Sequence, residues 1–226
     1  MSAPHSGPYS AASHSGPHSG GAGPVRVERV VTSGTFSLDG ETFDVDNNVW
    51  IVGDGAEVLV VDAAHDAAAI TAAVAGRRVT AVVCTHGHDD HIGAAADLAE
   101  ATGAPVLLHP ADLELWRAAH PDREPDAELA DGMRLSVAGA EVRVLHTPGH
   151  SWGSCVLHVP SLGAVFTGDT LFHGGPGATG RSYSDRPTIE ASIRDRLLTL
   201  PDGTVVHTGH GPDTTVAAER PNVPSA

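Results

Sequence analysis

The stretch VTAVVCTHGHDDHIG, residues 79–93, passes from an apolar, β-branched run through a polar turn into the first residues of a helical pattern. IGAAADLAEATG (92–103) continues that helix and PVLLH (105–109) supplies the next strand, so strand, helix and strand follow one another as in a parallel, helix-covered sheet. Upstream, VWIVGD (49–54) and EVLVVDA (57–63) predict a hairpin turned at Asp54 and Gly55. DAAAITAAVAG (66–76) predicts a helix capped by Asp66 and closed by Gly76. Downstream, ADLELWRAA (111–119) is amphipathic. MRLSV (133–137), AEVRVLH (140–146), SCVLHV (154–159) and AVFTG (164–168) have the tight spacing of antiparallel strands. PTIEASIRDRLLTL (187–200) predicts a last helix started by Pro187, TVVHTG (204–209) a last strand, and nothing helical is expected after Gly211. The pattern predicts an α/β chain with two mixed sheets sandwiched between helices.

The same stretch places His86, His88, Asp90 and His91 within six residues. In an extended turn, residues two apart share a side, so His86 and His88 can grip one cation while Asp90 and His91, turned into the helix, reach a second. Three further segments, TPGH (147–150), TGD (167–169) and TGH (208–210), each close an apolar strand with Thr, a Gly and a donor: His150, Asp169 and His210. In open α/β sheets ligands bind beyond the carboxyl ends of the strands, so these donors are expected to meet the 86–91 cluster. Five imidazoles and two carboxylates suit zinc, and also iron or manganese. They exceed the four ligands of a closed structural zinc site, which predicts two divalent ions with room for water. Asp62, ending the strand before, is expected to orient a metal-bound histidine. His65, His109, His120, His146, His158, His173 and His207 read as ordinary hydrogen-bonded residues.

Composition narrows the function classes. The 226 residues carry 13 basic groups, all Arg, against 28 acidic ones, a formal charge of −15, which disfavours a nucleic-acid partner. No apolar run is long enough to span a bilayer and the start lacks a secretory signal, so a soluble cytoplasmic protein is expected. Cys84 and Cys155 sit in apolar runs and read as buried small hydrophobes. Residues 1–24, almost wholly Ser, Gly, Pro, Ala and His, predict a disordered low-complexity tail whose His5, His14 and His18 are solvated. Residues 25–226 are expected to form a single folded domain.

HGHDDH together with TPGHS, FTGDTLF and TGHG resembles the metallo-β-lactamase superfamily, and more narrowly its glyoxalase II (hydroxyacylglutathione hydrolase) branch, over nearly all of residues 40–215. The resemblance implies a four-layer αββα sandwich. It implies that His86, His88 and His150 hold one metal, that Asp90, His91 and His210 hold the other, and that Asp169 bridges; Asp90 and Asp169 are then catalytic as well as ligating. Such a metal pair supplies a nucleophile near neutral pH by acidifying water, and a thiolate leaving group needs no elaborate proton donor. The implied substrate is a small-molecule thioester or related ester. Arg181 and Tyr183, in GRSYSD (180–185), match the positions from which glyoxalase II enzymes meet the thiol carrier. Gly211–Pro212 stands where those enzymes have a carrier-contacting Tyr, and the sequence stops at Ala226 without their helical C-terminal domain, so glutathione is not the expected carrier; the lack of Lys with abundant Ala and Gly points to a high-GC genome, and mycothiol, used by some bacteria with such genomes, is a candidate among carriers the sequence does not specify. Persulfide dioxygenases, which resemble GRTD where this chain has GRSY and use one iron, are the rival reading; lactonases and a non-catalytic metal-binding module are the others. The sequence does not specify an oligomeric state.

Overall fold

The computed structural model describes residues 23–224. Most of the 1–24 segment, with its three histidines, therefore lies outside the described residues. The chain opens with a long hairpin, β1 (Arg26–Leu38) and β2 (Glu41–Gly53), and proceeds through β3 (Glu57–Val61), α1 (Ala67–Val74), β4 (Arg78–Val83), α2 (Asp89–Ile92), α3 (Ala95–Thr102), β5 (Val106–Leu108), α4 (Leu113–Ala119) and β6 (Ala127–Glu128). The second half runs β7 (Arg134–Val137), β8 (Ala140–His146), β9 (Cys155–Val159), β10 (Ala164–Gly168), β11 (Leu171–Phe172), β12 (Gly175–Pro176), α5 (Arg186–Ser192), β13 (Val205–Thr208), β14 (Thr214–Thr215) and α6 (Val216–Glu219).

Strands β1 to β6 form one six-stranded sheet in sequence order, antiparallel across β1–β2–β3 and parallel from β3 to β6. The other six-stranded sheet has the order β14-β13-β10-β9-β8-β7, with β10 and β13 parallel and the remaining pairs antiparallel. Both sheets are mixed, as expected.

Strand alternation sorts the apolar residues into layers. Trp50, Leu59, Val61 and Val83 of the first sheet meet Val142, Val144, Leu157 and Phe166 of the second in a core between the sheets. Ile51, Val58, Val60 and Val82 point the other way, under Ile70, Val74, Leu98 and Trp116 of the helices. Val156, Val165 and Val206 of the second sheet face Ile189, Ile193, Leu197 and Val216. The result is helix, sheet, sheet, helix. Cys84 belongs to the first outer layer and Cys155 to the layer between the sheets, so both stay free and buried.

Several expected elements differ in detail. The strand at 49–54 is only the buried end of β2, which pairs with β1 along all thirteen of its residues; the exposed half has too many polar positions to signal a strand. Asp66 caps α1, its Oδ1 accepting from Ala69 N at 2.9 Å, but the helix ends at Ala75, already left-handed (φ 55°), one residue before Gly76. The helix expected at 92–103 is divided into α2 and α3, because Ala94 N–H donates to Ala63 O (2.9 Å) in the neighbouring loop. The helix expected at 187–200 spans Arg186–Ser192, capped by Asp185, and then widens into a π-helical turn, Ile193–Leu197. After Gly211 the chain does not stop building structure: β14 adds to the sheet edge and α6 buries Val216, in pieces too short to show a period.

Because Phe166 is 1% exposed between the sheets, Phe166→Ala should destabilise the fold by about 3–5 kcal/mol in urea unfolding. A loss below about 1 kcal/mol would show that the layer between the sheets is loosely packed.

Candidate metal centre

All seven sequence-predicted donors gather beyond one edge of the two sheets, each carried by a segment that leaves a strand. His86 and His88 follow β4, Asp90 and His91 lie in α2, His150 follows β8, Asp169 follows β10 and His210 follows β13. The Thr-Gly pattern has a steric basis at Gly209: a Cβ there would lie 2.3 Å from Asp169 Oδ1 and 2.7 Å from His91 Cε1. Only glycine lets β13 end against the donors.

Two groups of atoms converge. His88 Nδ1 is 3.0 Å from both His86 Nε2 and His150 Nε2. His210 Nε2 is 3.2 Å from both His91 Nε2 and Asp90 Oδ2, and His91 Nε2 is 3.4 Å from Asp90 Oδ2. Asp169 stands between them: Oδ1 is 3.2 Å from His91 Nε2, and Oδ2 is 3.5 Å from both His150 Nε2 and His210 Nε2. Donors on a tetrahedral zinc, with bonds of about 2.0–2.1 Å, lie about 3.3 Å apart. Asp90 Oδ1 and Asp169 Oδ1 are buried without a hydrogen-bond partner, and such orphaned carboxylate oxygens are costly unless a cation satisfies them. The residues present fit a pair of metal ions.

The opposite atom of most donors is tied down. His91 Nδ1 donates to Asp62 Oδ2 (3.0 Å), and Asp62 also accepts from Thr85 N (2.7 Å) and Thr85 Oγ1 (2.8 Å), so Asp62 orients a donor histidine as the sequence led one to expect. His150 Nδ1 donates to Ala178 O (2.9 Å) and His210 Nδ1 to Asp46 O (2.7 Å). These bonds fix which ring nitrogen keeps its lone pair inward.

Sequence reasoning missed Asp112. Its buried carboxylate accepts from Gly87 N (2.9 Å), Ser151 Oγ (2.6 Å) and Gly153 N (2.6 Å), joining the His86–His88 turn to the loop that carries His150. Burial pushes its pKa up although these three donors oppose the shift. The signal was an acid on the buried side of ADLELW.

In the metal-free protein, the two groups differ in charge. Burial holds His86 and His88 well below the usual imidazole range, His88 at about 3, so these two rings are neutral. Burial also opposes charge on His91 and His210, but the carboxylates of Asp90 and Asp169 outweigh it and raise both, His210 to about 10. Asp90 falls to about 2: burial pushes it up, and the neighbouring His91, with His210 and Asn47 as donors, pulls it further down. Protons thus occupy the second group where a cation fits.

Arg181 lines a cavity of about 70 Å³ beside His88 and His150, together with Phe36, Leu38, Ser182 and Ser184. Tyr183 does not line it; the carboxylate of Glu114 lies beside its hydroxyl and raises its pKa. Arg181 Nη1 also pairs with Glu41 Oε2 (2.7 Å), and its guanidinium lies 4.9 Å from the centre of the Phe43 ring.

Residues 42–210 match the family described as the Metallo-beta-lactamase superfamily. The hydroxyacylglutathione hydrolase of Anaeromyxobacter dehalogenans is 35% identical over 174 residues, which cover 76% of this chain and 64% of that protein. Among solved structures, TTHA1623 in a di-iron-bound form is 36% identical with a TM-score of 0.72, covering 80% of this chain and 95% of that one. ETHE1 from Myxococcus xanthus is 26% identical with a TM-score of 0.67, covering 86% and 83%. The converging donor groups and the di-iron-bound neighbour support a dinuclear metal site.

The raised pKa values of His91 and His210 set the sign of a pH dependence. Each must lose its proton before its nitrogen can ligate, so zinc added to the metal-free protein at pH 8 should release protons into a weakly buffered solution. Affinity for the equivalent held by His91 and His210 should fall as pH is lowered, by about tenfold per unit for each proton displaced. Uptake without proton release at pH 8 would contradict this picture.

Proposed function

The chain belongs to the metallo-beta-lactamase superfamily of metallo-hydrolases, and from that premise we propose that it is a dinuclear hydrolase cleaving a thioester of a low-molecular-weight thiol. The observation that carries this reading is the sharing of Asp169 between two convergent donor groups directly beside the cavity. His86, His88 and His150 would hold one ion, Asp90, His91 and His210 the other, and Asp169 both; five imidazoles with two carboxylates favour zinc, with iron or manganese as the alternatives. When bound, the pair supplies Lewis acidity and an acidified water.

The chain's own residues prepare the rest. Asp62, Ala178 O and Asp46 O hold protons on the outer nitrogens of His91, His150 and His210, leaving the inner lone pairs for the ions. Phe36 and Leu38 give the cavity an apolar wall that suits a short acyl group and excludes water from it. Arg181 has donors beyond the one engaged by Glu41 and can meet an anionic group of the carrier at the rim. A thiolate is a weak base, so its departure calls for no proton donor among these residues. Such a substrate, together with two buried free thiols, accords with a cytoplasmic setting.

The likeness to ETHE1 favours one second reading, a one-iron persulfide dioxygenase. The buried second group, with Asp90 Oδ1 unpartnered, weighs against it.

Metal analysis of the purified protein, with an activity panel of thioesters, lactones and persulfides, tests the proposal. Two equivalents and thioester turnover are expected, abolished by Asp169→Ala with an unchanged circular dichroism spectrum. One equivalent of iron with persulfide oxidation would replace the hydrolase by the dioxygenase. Arg181→Ala should raise KM for a thioester with an anionic carrier by about tenfold, the worth of one screened charge-assisted contact, and leave metal content intact. An equal loss on a thioester lacking the carrier's charge would give Arg181 an architectural role instead.

A further inference from the structure

We infer that His65 and Asn47 act as a two-residue relay that positions Asp90 for the second cation; the inference rests on the dinuclear reading above. Asn47 is fully buried in β2, and its side-chain amide is used at both ends: Nδ2 donates to Asp90 Oδ2 at 3.0 Å, while Oδ1 faces His65 Nε2 at 2.8 Å. An ionised carboxylate only accepts, so Asn47 must present its NH₂ to Asp90 and its carbonyl to His65, which then donates from Nε2. The direction of every bond is thereby fixed. Oδ2 of Asp90 is held by the amide, and Oδ1 is left buried without a hydrogen-bond partner.

Two independent features show that the fold makes room for this histidine. Gly34 of β1 has no side chain where the imidazole lies: a Cβ there would be 2.2 Å from His65 Nδ1 and 2.6 Å from its Cγ. His65 also sits in the left-handed region (φ 54°), unfavourable for a residue with a Cβ, as does Asp62 (φ 55°), the orienter of His91, three residues earlier. The loop is kept in this conformation from both sides, since Ala63 O accepts from Ala94 N (2.9 Å) and Ala64 O from Thr32 Oγ1 (3.0 Å). Backbone strain of this kind persists where the surroundings over-determine it and tends to mark functional loops. Residues 62–66 thus reach two donors of the same group, His91 through Asp62 and Asp90 through His65 and Asn47. The first group, His86, His88 and His150, receives nothing from His65.

The relay predicts a selective effect. His65→Gly suits the left-handed backbone, so it removes the imidazole with little harm to the fold. Metal-free wild type, His65→Gly, Asn47→Ala and the double variant are titrated with Co(II), following the visible spectrum and the affinity of each equivalent, with the melting temperature of the metal-free protein measured alongside. Each single variant should weaken the same one of the two equivalents by about 10- to 100-fold and leave the other unchanged, and the double variant should lose no more than Asn47→Ala alone. Wild type binding two equivalents, with neither affected in His65→Gly or with both weakened alike, overturns the relay and leaves the dinuclear reading standing. Additive losses in the double variant would overturn it too, because His65 would then act by another route. Wild type binding a single equivalent would remove the dinuclear reading and the relay together. Should Asn47→Ala fail to fold, Asn47→Leu serves in its place, since it keeps the side-chain volume and has no group that can donate to Asp90.

Discussion

Lone pairs aimed at one another repel, and the centre of this protein crowds the donor atoms of seven side chains to within 3.0–3.5 Å of a neighbour at a buried edge of the fold. Such an arrangement is stable only if something outside each donor holds it and something inside rewards it. The outside hold is visible for most donors: Thr85 at His86, Asp62 at His91, Ala178 at His150, Asp46 at His210 and Asn47 at Asp90. The inner reward in the metal-free protein is incomplete. Protons on His91 and His210 compensate two carboxylates, while two carboxylate oxygens remain without partners, so metal uptake and local order are coupled.

Holding donors from two different sheets within hydrogen-bond distance also requires that the sheets not slide. At the donor edge they are stitched together: Asn48 N–H donates to Gly209 O (2.8 Å), Asn48 Nδ2 and Trp50 Nε1 both donate to Thr208 O (3.0 Å), and Cys155 N–H donates to Thr85 O (2.8 Å). The stitches fall one or two residues away from His210 and His86. Trp50 belongs to the core between the sheets, so the packing of that layer and the register of the donors are parts of the same contact set.

Much of this was legible in the sequence because the chemistry is concentrated. Ligand spacing at 86–91 and the repeated Thr-Gly-donor endings name the donors, and alternation names the buried strands. The supporting residues were hidden for a physical reason. Asn47, Asp112 and His65 act through a few hydrogen bonds to partners distant in sequence, such as Asn47 to Asp90 and Asp112 to Gly153, and one polar residue in an apolar run leaves no periodic trace. The outer half of the first hairpin was hidden too, because both its faces meet water or the cavity rim and its polarity carries no burial pattern. The short elements after Gly211 lie below the length at which any period can be read.

That hairpin has a consequence for how the protein can change over time. Its tip contributes Phe36 and Leu38 to the cavity and reaches across to the 178–184 loop through Glu41 to Arg181 and Asp39 to Ser182, yet it supplies none of the seven donors. Substitutions at the tip can therefore reshape what enters the cavity without disturbing the ions' cradle. Substrate range and chemical competence are inherited on separate stretches of chain, and a lineage can explore new substrates by drift in a few residues of the tip while its reaction centre stays fixed.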